Sequence, residues 1–329
     1  MLKRAKVVGL GYYVPEKVVT NEDLAAYLDT SDEWIQARIG VKERRVAAGD
    51  ELSSDLAAKA SKMALENAGI KPEDIDMIVF ATNMPDHTSP ATAIQLQDKV
   101  FAHNAFAFDI RVGGCPGLIY GMSIATKYIA DGTCKTVLIA TADIHSRSID
   151  LEDRLTAVIF GDGSSAVILR ESDDDCGGII KTQLYTDPSG YYSAYVPAGG
   201  MAEPITAEGI QNKRHYFKMD GRAIYEFATT AFPETVKTVV KDSNLAINDI
   251  DFVISHQANI NIIRESMGKL GLPMGKTYCN ITKYGNTGGS SVGIAFAEAV
   301  EKGLVKKGDK VVLTAFGAGL CWGAVLLQL

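Results

Sequence analysis

The sequence is poor in cysteine. Its five residues, Cys115, Cys134, Cys176, Cys279 and Cys321, include no CxxC pair. An odd, scattered set supplies neither a disulfide framework nor paired zinc ligands, so no metal is expected and a reducing compartment suits the chain. Positive charge is also short, with 33 Lys plus Arg against 40 Asp plus Glu and a net charge of −7. No basic cluster stands ready to track a phosphate backbone, which argues against nucleic acid as a partner. Long apolar runs are missing, so no membrane span is expected. The basic start MLKRAKVVGLGYYVP has an apolar stretch too short for a signal peptide, and a cytoplasmic location is expected.

What is present describes a folded globular protein, with 47% hydrophobic and 22% charged residues. At 329 residues the chain is long for one core. Its most informative stretch runs from Phe106 to Gly132: a short apolar strand, a Gly-Gly turn, Cys115, then a helix apolar on nearly every face, as in a helix buried at a domain centre. Pro116 is placed as the first helical residue and Gly132 as the stop. A thiol there feels the positive end of the helix dipole, which favours thiolate, while apolar surroundings oppose ionisation.

Self-comparison reveals a repeat. Asp74–Val79 (DIDMIV) resembles Asp249–Ile254 (DIDFVI), and Lys135–Leu138 (KTVL) resembles Lys310–Leu313 (KVVL), both at an offset of 175 residues. A constant offset over two separate strands indicates an internal duplication. It divides the chain into halves 1–172 and 173–329 and carries Cys115 to Ser290, at the start of another apolar helix. Each half reads as strands alternating with helices, predicting α/β architecture with mixed or mostly parallel sheets covered on both faces. Sites in such sheets form beyond the C-terminal ends of strands. Residues following strands in the two halves should therefore converge: Cys115, His256 after the strand 251–254, Asn286 in a Gly-rich turn, and the turn Phe316–Gly319.

Cysteine, histidine and asparagine fit two chemistries. In papain-like logic the imidazole generates thiolate and the amide orients the imidazole. In a condensing enzyme, His and Asn instead donate hydrogen bonds to one carbonyl oxygen and stabilise the enolate formed when a malonyl group loses carbon dioxide. Residue types alone do not choose between them.

Over essentially its whole length the sequence resembles the β-ketoacyl-acyl-carrier-protein synthase III family of the thiolase superfamily. The resemblance rests on Thr30-Ser31-Asp32-Glu33-Trp34-Ile35 with Arg38, Gly40 and Glu43-Arg44, on Cys115, Phe160-Gly161-Asp162-Gly163 and His256-Gln257-Ala258-Asn259, and on Tyr284-Gly285-Asn286-Thr287 and Phe316-Gly317-Ala318-Gly319 with Trp322-Gly323. It implies a thiolase-like fold, internally duplicated, in five layers α-β-α-β-α. Cys115 then matches the nucleophile that takes an acyl group from acyl-coenzyme A, and His256 and Asn286 match the pair that holds the malonyl thioester during decarboxylation. The oxyanion donors would be the backbone N–H groups of Cys115 and Ala318. Thr30, Trp34, Arg38, Arg154 and Asn259 match the coenzyme A site, with Trp34 and Arg154 sandwiching adenine. Ser89, Phe160, Met219 and Phe316 fall in the acyl pocket. The resemblance implies a homodimer, coenzyme A thioesters as substrates and no permanently bound cofactor.

Three departures from the family pattern bear on substrate and partner. Ser89 stands where an aromatic gate is usual, which suggests an acyl chain longer than acetyl or polar-ended, with His87, Arg111 and Arg147 as contacts. Glu226, Asn261 and Gly268 replace basic positions that dock acidic acyl carrier protein, although Arg264, Lys269 or Lys283 are near enough in sequence to compensate; this favours a pathway-specific synthase that uses free coenzyme A or a dedicated carrier. Arg111–Gly114 is a bulkier approach to the nucleophile than usual. The rival within the fold is an acyltransferase that moves the acyl group to an alcohol or amine without decarboxylation. The rival outside it is a cysteine hydrolase.

Overall fold

A computed structural model of the chain describes residues 3–172 and 177–329, so that Cys176 lies outside the described residues. Two sheets form its frame. The first orders strands Arg4–Tyr13, Gly163–Ser172, Thr136–Asp143, Met77–Ala81 and Phe106–Ile110, and the second orders Phe252–Ser255, Lys310–Gly317, Cys321–Gln328 and Gly178–Thr186. Met77–Ala81 runs parallel to both neighbours, as Phe252–Ser255 does to Lys310–Gly317, while the remaining ladders are antiparallel. The mixed sheets follow from the sequence pattern: Met77–Ala81 and Thr136–Asp143 are buried along their whole length, as strands covered on both faces must be.

The repeat holds at the level of single hydrogen bonds. Asp76 Oδ2 accepts the Lys135 N–H at 2.7 Å, and Asp251 Oδ2 accepts the Lys310 N–H at 2.8 Å, each partner displaced by the same 175 residues. It fails at one strand. The segment matching Phe106–Ile110 forms a helical turn, Ile281–Tyr284, and this turn leads into Asn286.

The helices Gly117–Ala130 and Ser291–Glu301 lie between the sheets, where Leu118, Ile119, Met122, Val292 and Phe296 pack with residues of both. Each such large apolar side chain removed from water contributes about 1.5–3 kcal/mol. Ser53–Ala68 and Thr92–Lys99 cover the outer face of the first sheet, and Gly221–Lys241 and Ile260–Leu270 that of the second. The resulting stack, α-β-α-β-α, is the thiolase fold. Pro116 caps the first central helix and does not begin it: with φ −83° and ψ 9° it sits one residue outside the helical run. Among the described residues no helix is long and apolar enough to cross a membrane, and no group of three or more His, Cys, Asp or Glu side chains is disposed to hold a metal ion. The four described cysteines are free.

Candidate active site

Cys115 ends the loop that leaves the edge strand Phe106–Ile110. Gly113 and Gly114 precede it with φ of +58° and +77°, a left-handed pair that side-chain-bearing residues rarely adopt. Gly113 has a second constraint, since a Cβ there would fall 1.9 Å from the Ala318 carbonyl oxygen. This contact binds the Cys115 loop to the turn after Lys310–Gly317. Cys115 itself abuts that strand, its Cβ lying 3.1 Å from where a Gly317 Cβ would sit. The Cys115 N–H, expected as an oxyanion donor, is turned toward Gly113 O at 3.1 Å.

His256 leaves the adjoining parallel strand and donates its backbone N–H to Thr314 O at 2.9 Å. Its ring meets the Phe316 ring edge to face at 5.2 Å. Nδ1 lies 2.6 Å from Ser291 Oγ, and that oxygen also accepts the Gln257 N–H at 3.2 Å. Among the described residues Nδ1 is the one acceptor in reach of the Ser291 hydroxyl proton, so the hydroxyl donates there and the imidazole proton sits on Nε2. Burial, with the neighbouring His145 ring adding to it, pushes the His256 pKa down to about 3, so the ring is neutral. Asn286 is held by its main chain, which bonds to Ile159 O and to the Gly161 N–H, while its Oδ1 accepts the Gly288 N–H at 2.9 Å. Both side chains thus have their acceptor ends occupied. Nε2 of His256 and Nδ2 of Asn286 have no partner among the described residues and are not sealed from solvent.

Two further groups reach this site, and the sequence reading missed both. Asp143 and His145 end and follow the strand Thr136–Asp143, the position at which such sheets gather function. Asp143 is 1% exposed and accepts the Gly289 N–H at 2.8 Å, which ties it to the Asn286 turn. A Gly289 Cβ would lie 2.8 Å from Gly114 O and 3.4 Å from Asp143 Oδ2, so turn, carboxyl and Cys115 loop touch. Burial lifts the Asp143 pKa to about 7. Burial, and then the Asp143 charge, push the Cys115 thiol up to about 12, against the helix dipole. Both influences favour the thiol form of Cys115. Asp143→Asn is accordingly expected to shift the pH profile of Cys115 alkylation by iodoacetamide to lower pH, with roughly tenfold faster labelling above pH 7 where the wild-type carboxyl is charged. An unshifted profile would remove Asp143 from this role.

The positions matched to coenzyme A gather in a cap beside the site. The Arg154 guanidinium lies over the Trp34 ring at 5.0 Å and donates to Asp29 O at 2.8 Å. A base held between the two needs about 7 Å, two van der Waals contacts, so the pair covers itself here and must part to admit one. Asn259 Nδ2 donates to Arg38 O at 3.0 Å, and Thr30 Oγ1 is buried without a partner.

Family models described as 3-oxoacyl-[acyl-carrier-protein] synthase III match residues 108–188 and, for the C-terminal part, 240–329. The β-ketoacyl-[acyl-carrier-protein] synthase III of Clostridium acetobutylicum is 43% identical over 99% of each chain. The chain belongs to the synthase III family. Among solved structures, synthase III from Aquifex aeolicus superposes with a TM-score of 0.90 at 39% identity, covering 99% of this chain and 100% of that one. The priming β-ketosynthase of the R1128 polyketide pathway gives 0.92 at 28% identity, covering 99% and 97%.

Within this synthase III chain the candidate acyl-pocket residues divide. Phe160 and Phe316 are buried beside Asn286 and His256, Phe160 through a backbone bridge to Asn286. Met219 lies in a two-stranded ribbon with Ala194, and the side chain set against Phe160 from that segment is Phe217, at 5.6 Å. Ser89 is exposed, as are His87, Arg111 and Arg147, and Arg147 is committed to Ala48 O at 2.5 Å. The polar group next to Phe160 is instead His145, with ring centroids 4.5 Å apart. A cavity of about 720 Å³ opens elsewhere, lined by Val8, Met63, Asn67 and Val300 among others, and none of the three candidate catalytic residues borders it.

Proposed function

We propose that the chain condenses two thioesters in two steps. Cys115 Sγ attacks the carbonyl of an acyl-coenzyme A; the carbon–sulfur bond to coenzyme A breaks, and the thiol proton leaves with it as free coenzyme A. A malonyl thioester then enters and its carbonyl oxygen accepts from His256 Nε2–H and Asn286 Nδ2–H. Loss of carbon dioxide leaves an enolate whose carbon attacks the acyl group on Cys115, forming a carbon–carbon bond and freeing the thiolate. The product is a β-ketoacyl thioester. One observation carries this reading: His256 and Asn286 each present an open donor because Ser291 and Gly288 occupy their other ends. A papain-like scheme would have the Asn286 amide hold one imidazole nitrogen, whereas the described partner of the His256 ring is Ser291 and that of the Asn286 side chain is Gly288. Transfer to an alcohol or amine would leave the paired donors without a developing enolate to stabilise.

Intact-mass measurement after incubation with acyl-coenzyme A should show one acyl adduct on Cys115, discharged by malonyl thioester with release of carbon dioxide. Discharge without carbon dioxide would favour the simple acyltransferase.

The carrier of the malonyl group and the dimer belong to the same proposal. Glu226 is paired with Arg222 and Lys269 with Glu265, which lowers the positive charge that surface offers an acidic carrier, while Arg264 and Lys283 are in no described ion pair. Phe106–Ile110 is an edge strand, and Phe106, Tyr128, Phe101 and Ile94 are exposed, which supports pairing with a second copy along that edge.

A further inference from the structure

The condensing scheme leaves one ring of the site unused. A Cβ on Gly288 would lie 2.4 Å from His145 Nε2 and 2.4 Å from Asp143 Oδ2, so those two atoms are no more than about 4.8 Å apart. Only a glycine, here at φ +58°, lets both approach the Asn286 turn. Among the described residues neither ring nitrogen of His145 has a hydrogen-bond partner; Nε2 is sealed from solvent and Nδ1 is not. The ring faces Phe160 at 4.5 Å, on the wall that the Phe217 ring extends.

The carboxyl beside Nε2 decides the tautomer. A proton on Nε2 faces the negative end of Asp143, whereas a lone pair there would face it unfavourably, so Nδ1 keeps the lone pair. No described donor reaches Nδ1, which stays open to whatever molecule fills the space in front of it. A substrate hydroxyl would satisfy it. A carboxylate would not, since it offers no proton and would lie close to Asp143. We infer that His145 is a specificity-determining residue whose Nδ1 accepts a hydrogen bond from a hydroxyl group on the acyl chain, making hydroxyacyl thioesters the preferred acyl donors. This rests on the reading of Cys115 as the acyl acceptor.

The test compares initial rates of Cys115 acylation, by intact mass, for short- and medium-chain acyl-coenzyme A donors: unsubstituted, hydroxylated at the second, third or terminal carbon, and the matching ketones. Wild type should load at least one hydroxyacyl donor roughly tenfold or more faster than its unsubstituted counterpart. His145→Leu should bring that ratio to about one or below, and His145→Gln, which retains an acceptor oxygen, should keep part of it. Fastest loading of the unsubstituted or keto donors by wild type overturns the inference, as does an unchanged ratio in His145→Leu. Should His145→Leu fail to fold, the wild-type ratio and His145→Gln still decide. Loading without hydroxyl preference sinks only the role of His145, whereas no loading of Cys115 by any donor sinks the condensing reading with it.

Discussion

His256→Ala and Asn286→Ala should each slow carbon dioxide release from a malonyl thioester by about 10²–10³, the usual loss when one preorganised donor to a developing oxyanion is removed. Acyl loading of Cys115 should persist in both. The separation follows from where the protons lie. The His256 ring is neutral, with its proton on Nε2, and is therefore a donor and a poor base for the Cys115 thiol. Asn286 makes no hydrogen bond to it. Single-turnover loading by mass spectrometry, followed by release of labelled carbon dioxide, measures the two steps independently. If His256→Ala lost loading as severely as decarboxylation, the imidazole would be the base that activates sulfur, and the cysteine hydrolase reading would gain. Ser291→Ala offers a milder check. It removes the hydroxyl that holds Nδ1 as an acceptor, and decarboxylation should fall about tenfold as the other tautomer becomes populated.

The frame of the site was legible because the chain repeats. Two strand motifs at one offset placed Cys115 and Ser290 at equivalent helix starts, and Ser290 is buried against Thr141 and the Gly163 carbonyl where the two central helices meet. What the repeat does not transmit is its own local failure. Ile281–Tyr284 turns helical where the first half has a strand, and no local cue in Ile-Thr-Lys-Tyr marks the change. His145 escaped notice for a related reason. Its partners, Phe160 and Gly288, are 15 and 143 positions away in sequence, and a single histidine after a buried strand reads as an ordinary core residue until the turn at Gly288 is laid against it. Arg147, two residues on and more conspicuously charged, drew the polar-pocket assignment, yet it points outward to Ala48. The Trp34–Arg154 pairing was readable only through family resemblance, since nothing in the 119 intervening residues links them.

Glu298→Ala should be the most destabilising single change at the site's periphery, at about 3 kcal/mol or more, because it strands three donors at once, two of them buried and one half-buried. Glu298 is 2% exposed on the central helix Ser291–Glu301, and its carboxyl accepts from Tyr278 Oη at 3.2 Å, Asn280 Nδ2 at 2.8 Å and Tyr284 Oη at 3.0 Å. Burial first, and then the Glu298 charge, raise the pKa of both phenols, so each keeps its proton to donate. The hub reaches both candidate donors of the reaction. Asn280 gives its N–H to Gln257 Oε1, next to His256, and Tyr284 stands two residues before Asn286. Urea denaturation should show the loss as a lower midpoint with an unchanged slope. Glu298→Gln, which preserves shape and one acceptor oxygen, should lose only about 1–2 kcal/mol. Under strongly native conditions Glu298→Ala should also decarboxylate more slowly while still loading Cys115, because the loops it frees are those of His256 and Asn286 and not that of the sulfur. A variant that lost stability yet decarboxylated at the wild-type rate would mean that the two donors are held by Ser291 and Gly288 alone.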